Sequence, residues 1–182
     1  MPHIPPIASK ADMAPEYHYV FDQVMQVFGR VRGPFSVLLH SPQLAEHLLP
    51  MVPFAREGTI VEPQLRQIAV LAAVREREAN YVWAAQVDAS RRAGLREEVI
   101  DLLRAKGDPS GLPADQRDII NYARQLMRTN RVEPALFDRL KDKFGVKWMV
   151  ELTAAANYFA FLSGMVNAFE VAAPADGDKL PI

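Results

Sequence analysis

The chain has 182 residues, 49% hydrophobic and 24% charged, the make-up of one soluble globular domain large enough to bury a core. Lys+Arg 21 against Asp+Glu 22 leaves a net charge of −1, which argues against a nucleic-acid binder with its basic face for phosphates. With no cysteines, disulfides, zinc ribbons, iron–sulfur clusters and every thiol-based mechanism are excluded. The cytoplasm is then the expected compartment.

Proline just inside a helix start and glycine just past its end punctuate the chain repeatedly. Pro15 opens a segment apolar at Tyr19, Val20, Val24, Val27 and Phe28 that stops at Gly29. Ser41-Pro42 reads as a cap and first helical residue, with the helix ending at Gly58. Pro63 opens the next through Leu65, Ile68, Ala69, Leu71, Ala72 and Val74. Further helices are predicted over Asn80–Ala93, closed by Gly94, and over Arg96–Lys106, closed by Gly107. Pro113 starts a long amphipathic one, Pro134 another that ends at Gly145, and the last runs from about Lys147 to Phe169. Alternating strand patterns and hairpin dipeptides are missing. The prediction is an all-α domain of seven or eight helices spanning 1–182, with extended arms over 1–13 and 174–182 that fray or wrap a neighbouring subunit.

The N-terminal Met1-Pro2-His3-Ile4-Pro5-Pro6 has neither the basic start nor the apolar stretch of a signal peptide. Leu152 to Phe169 carries no charge over 18 residues, the lower limit for a membrane span. It contains Asn157, Ser163, Gly164 and Asn167 and is flanked by Glu151 and Glu170, so a helix buried or shared with another subunit is expected, with no membrane partner.

Chemistry-bearing patterns are few. His3, His18, His40 and His47 make no metal-ligand spacing, so no metal is expected. Nucleophile elbows and phosphate loops are missing, and no cofactor is expected. His40 ends the apolar run Phe35-Ser36-Val37-Leu38-Leu39 before a helix start. It reads either as a general acid or base or as a histidine bonded at a helix junction. Ala79, Val82 and Gln86 share one helical face, either a helix contact or a small pocket with Gln86 as polar handle and Tyr81 and Trp83 as walls. Arg75 and Arg77 could hold a carboxylate bidentately or stand solvated at a helix end. Tyr158, with Asn157 and Asn167, punctuates the final apolar helix, where polar groups meet either an interface or a ligand.

From about Arg30 to Pro181 the chain resembles the carboxymuconolactone decarboxylase family, which includes the AhpD-like alkylhydroperoxidases. The resemblance rests on Arg32-Gly33-Pro34-Phe35 through Leu39-His40-Ser41-Pro42 and on Leu65-Arg66-Gln67-Ile68-Ala69-Val70-Leu71. It continues in Asn80-Tyr81-Val82-Trp83-Ala84-Ala85-Gln86 with Gly94 behind, and in Gly145 through Leu152, Asn167-Ala168-Phe169 and Leu180-Pro181. It implies an all-helical fold assembling as dimers, trimers or hexamers, with pockets near subunit contacts. AhpD-like members use a glutamate, two cysteines three apart and a histidine four further on. Those positions fall at Gln67, Ala79, Val82 and Gln86, none of which ionises. Thiol peroxidase activity is thereby excluded, as is proton transfer at either amide.

The expected function is a cofactor-independent lyase or isomerase, decarboxylase-like, acting on a small carboxylated cyclic or aromatic-derived compound. Arg32 or Arg75 would hold the acid, Gln86 would bond the carbonyl, and His40 would supply the proton. Tyr81 and Trp83 would wall the pocket, and Val82, Gln67 and Tyr158 complete the substrate-binding set. The alternative is a non-catalytic homo-oligomer that binds a small molecule or serves as a scaffold.

Overall fold

The computed structural model describes residues 2–181 and contains helices and no strand among them. In chain order the helices are α1 (His18–Phe28), α2 (Pro34–Leu38), α3 (Pro42–Leu48), α4 (Met51–Pro53), α5 (Pro63–Glu76), α6 (Asn80–Arg92), α7 (Glu97–Arg104), α8 (Ala114–Thr129), α9 (Pro134–Phe144) and α10 (Val146–Ala168). Four of them, α2, α3, α5 and α9, carry proline in the first turn, where its fixed φ fits and its missing N–H leaves no bond unmade. Gly29 closes α1 at φ +68, its amide reaching back 2.7 Å to the Met25 carbonyl.

The core is organised around α5. All ten residues from Arg66 to Arg75 are buried, because the helix is apolar nearly all round and therefore has neighbours all round. It packs against α8, α10, α6 and α7. The other unstriped helix is α10, which touches α2, α5, α6 and α9. Among the described residues it alone is long and apolar enough to cross a bilayer, yet 61% of its apolar stretch is buried inside the protein. It is a core helix, as its asparagines and flanking glutamates suggest.

Two expectations need correction. The helix predicted over 41–58 is three pieces: α3, α4, and a wide π-type turn over Phe54–Gly58. Pro50 and Pro53 lack the N–H that a continuous helix needs, and the chain steps at each. α2 adds a further short helix whose Phe35, Ser36, Val37 and Leu38 are all buried, so it has no polar face to give it a period.

The arms also differ from expectation, for both close on their own chain. Ile7 is buried and donates its amide to Ser36 O at 2.9 Å, and the His3 amide reaches Phe169 O at 3.1 Å. At the other end Leu180 is buried and donates to Asn80 Oδ1 at 2.8 Å. Asp178 sits between Arg91 at 2.6 Å and Arg104 at 2.9 Å. The outermost residue of each arm, 1 and 182, lies outside the described residues.

Candidate functional site

A cavity of about 600 Å³ opens between the start of α5, one face of α6, the loop before α2, the π-type turn and the middle of α10. That volume is ordinary for a small-molecule site. Helix α6 supplies the wall through Tyr81, Val82, Ala85, Gln86, Ala89 and Ala93, a helical stripe at spacings of three and four. Phe28, Phe35, Tyr158 and Phe159 supply an aromatic surround.

The polar lining is dominated by one residue type. Arg30, Arg32, Arg56, Arg66 and Arg92 line the cavity against only two carboxylates, Glu57 and Asp88. Several arginines elsewhere find acids, as in Arg91–Glu97 and Arg128–Glu76. None of the five cavity arginines makes an ion pair among the described residues. Arg56 and Arg66 form an inner pair, half-buried and buried, while Arg30, Arg32 and Arg92 stand exposed at the rim. Burial lowers the pKa of both inner guanidiniums, and Arg92 adds repulsion at Arg56. A guanidinium stays charged regardless, and the nearby Glu57 offsets the burial only in part. Arg56 lies 4.9 Å over the Phe28 ring, which supplies part of the missing partner. Arg66 Nη1 donates to Thr59 Oγ1 at 3.2 Å and Val61 O at 3.3 Å, while its buried Nε has no partner.

Two primary amides face the same space. Gln86 is 4% exposed and its Oε1 is buried without a donor. Gln67 is buried beside it, its Oε1 3.4 Å from Ser90 Oγ, a hydroxyl already donated to Gln86 O at 2.7 Å. Tyr158 donates to Leu48 O at 3.2 Å, and burial raises its pKa far above that of a free phenol. Burial likewise raises Tyr81, opposed by Arg32 and Arg30 beside it. The Tyr81 ring lies over Gly33, which holds φ +62, and a Cβ there would overlap the ring. Only glycine allows this seat.

Six of the nine residues singled out from sequence thus meet at the cavity: Gln86, Arg32, Tyr81, Val82, Gln67 and Tyr158. Three do not. His40 lies outside the lining, exposed, with its ring Nε2 donating to Pro5 O at 2.8 Å; its partner is the N-terminal arm, the junction reading of the sequence. Trp83 follows Val82 by one position and so points to the other side of α6, fully buried, with Arg104 5.9 Å from its ring. Arg75 sits nine residues beyond Arg66, about 13 Å further along α5, and donates to Arg104 O at 2.7 Å. Sequence reasoning missed the cavity roles of Arg30, Arg56, Arg66 and Arg92. The one available signal was an arginine, Arg66, at the head of an otherwise apolar core helix. No cluster of three metal-ligating side chains occurs among the described residues.

Compared with known proteins, the sequence matches no family model and no curated protein. The fold does match solved structures. The AhpD-core structure of an uncharacterized peroxidase-related protein from Ralstonia eutropha JMP134 superposes with a TM-score of 0.75 at 16% identity, over 94% of this chain and 92% of that one. A cysteine-to-alanine variant of the debrominase Bmp8, in complex with 2,3,4-tribromopyrrole, superposes with a TM-score of 0.72 at 14% identity, over 96% and 95%. The architecture is therefore AhpD-like.

Proposed function

We propose that this AhpD-like chain is a cofactor-independent lyase or isomerase for a small carboxylated ring compound, decarboxylase-like as its sequence motifs suggest. The observation that carries this reading is the set of five arginines around one cavity that holds only two carboxylates. Such an excess of positive charge is complementary to an organic anion. A neighbour of like fold holds a small halogenated ring, which supports a ring-sized occupant.

The chemistry follows from where charge grows. Breaking the bond to a carboxylate releases carbon dioxide and sends the electron pair into a conjugated carbonyl. Guanidiniums gripping the departing carboxylate would stabilise the ground state and slow the step, whereas those at the carbonyl oxygen stabilise the enolate. Gln86 and the inner arginines meet that oxygen, and the rim arginines orient the substrate. The carbanion then needs a proton. His40 cannot deliver it from outside the cavity. Tyr81 can: its phenol keeps its proton at neutral pH, lines the cavity, and stands beside Arg32 and Arg30, which steady the tyrosinate left behind. Tyr158 is committed to Leu48 O.

The test is to titrate the protein calorimetrically with 5-oxo-2,5-dihydrofuran-2-carboxylate and follow carboxylate loss by NMR. Binding with turnover, and a hundredfold slower turnover in Tyr81→Phe at unchanged affinity, is the expected result. Turnover should also fall in the alkaline range, as the phenol deprotonates at a higher pH than a free tyrosine. Binding without turnover would transfer the protein to the non-catalytic reading, which the amides at the relay positions favour. No binding at millimolar ligand would sink both.

We also propose a homo-oligomer in the cytoplasm. The arms no longer support it, but the outer face of α10 leaves Val146, Val150 and Phe161 exposed. Light scattering that shows a stable 20.4 kDa monomer at micromolar concentration would overturn this.

A further inference from the structure

A second cavity, of about 350 Å³, lies under the N-terminal arm and the chain that follows α10. Its walls are mostly apolar: Ile4 and Ile7 from the arm, Val31 before α2, Val37 on α2, and Val171 and Pro174 beyond α10. Ser36, one of its few polar residues, is already committed. Its hydroxyl donates to Gly33 O at 2.8 Å, and its carbonyl accepts the Ile7 amide at 2.9 Å. Two residues, Arg32 and Tyr81, line this cavity and the arginine cavity alike. The boundary between a cationic space and an apolar one is thus made of two side chains. One is a phenol ring seated on Gly33, and the other is an arginine whose methylene stem is itself apolar.

Resting on the anion-binding reading above, we propose that the ligand is an amphiphilic ring acid. Its carboxylated ring occupies the arginine cavity, and a short aliphatic substituent passes Tyr81 and Arg32 into the second cavity. The placement follows from the chemistry. Tyr81 supplies the proton to the reacting carbon and also forms the boundary, so a substituent on that carbon has the apolar space within reach. A charged or hydroxylated substituent would lose its water there and find few partners in the walls. An aliphatic one gains the burial of each methylene. The two arms, which close on their own chain, then act in selecting the ligand, because they form most of the wall that the aliphatic chain touches.

2-Alkyl-5-oxotetrahydrofuran-2-carboxylates lack the conjugation that decarboxylation needs, so they report binding alone. In calorimetric titration of the full chain, affinity is expected to rise about fourfold per added methylene from the methyl to the propyl acid, then level off as the cavity fills. Val37 lines the second cavity and not the first, and it lies outside the main core cluster. Val37→Phe should therefore abolish the gain for the propyl acid while the methyl acid binds as before. Val37→Ala works in the opposite sense, carrying the rise on to the pentyl acid, and it serves alone if the phenylalanine variant fails to fold. A flat series in the parent protein, with the methyl acid bound, would overturn the aliphatic subsite and leave the arginine cavity standing. A rise that the Val37 variants leave untouched would do the same, since the chain would then lie against the aromatic lining of the first cavity. Failure of every member to bind at millimolar concentration would overturn the anion cavity itself, and this inference with it.

Discussion

The two ends of α5 use arginine in opposite ways. At its C-terminal end, Glu76 is buried under a bidentate Arg128 at 2.7 and 2.8 Å, with Arg124 and Lys106 at 3.9 Å, and Arg75 and Lys106 share Glu78. The buried carboxylate there is answered within the chain. At its N-terminal end Arg66 and four neighbouring guanidiniums meet two carboxylates and pair with neither. The first arrangement holds helices together. The second leaves its guanidiniums without an ion pair in the chain, and the anion-binding proposal rests on it. Burial and residue type are alike at the two ends; only the supply of counterions differs.

Removing a partner should therefore have opposite consequences at the two ends. Glu76→Gln strips the acid from a buried cluster and is expected to destabilise the fold by about 3 kcal/mol while leaving anion affinity untouched. Chemical denaturation and calorimetric titration read the two effects. Arg66→Met should do the reverse: anion affinity falls by about 2 kcal/mol, roughly thirtyfold, and stability stays level or rises. A variant that lost stability and kept affinity would erase the contrast.

Gly33→Ala sharpens the picture from the cavity side. It forces a side chain into a left-handed backbone and against the Tyr81 ring, so a loss of about 1–2 kcal/mol in stability should accompany slower turnover. The smallest effect belongs to a pair of the structural kind at the α8–α9 contact. Burial raises Asp118, but Arg139 and Arg117 outweigh it and hold the carboxyl below the usual aspartate value. A group whose pKa is lower folded than unfolded adds stability above the unfolded value and loses it as pH falls through the folded one. Asp118→Asn should thus flatten the acid limb of the stability curve below about pH 4 without moving the neutral plateau.

The helices were legible where local chemistry decides them. Pro63, Pro113 and Pro134 mark the starts of α5, α8 and α9 within a residue, and Gly29 and Gly145 mark the ends of α1 and α9. The segment from 34 to 58 was not, because α2 is buried nearly all round and shows no period, and Pro50 and Pro53 sit in a mostly apolar run that reads as one helix although each withholds an N–H. In the site, Val82 and Gln86 could be read because helical spacing and family resemblance converge on one face of α6, and Gln67 through the resemblance alone. Arg30, Arg56 and Arg92 could not, since they come from three elements that only tertiary packing brings together. His40 misleads for a related reason. An apolar run before a histidine resembles a pocket wall, but the Pro5 carbonyl that answers it lies 35 residues away.

The wide turn over Phe54–Gly58 carries Arg56 at its centre. Such a turn differs from an ordinary helical one by a single residue, and one residue is about 100° of rotation around a helix axis. A one-residue deletion there would swing the inner guanidinium off the cavity while leaving the other four in place. The charge of this cavity can therefore be reset by a change in length with no change in composition, a route along which related chains could diverge in ligand without substituting any residue that touches it.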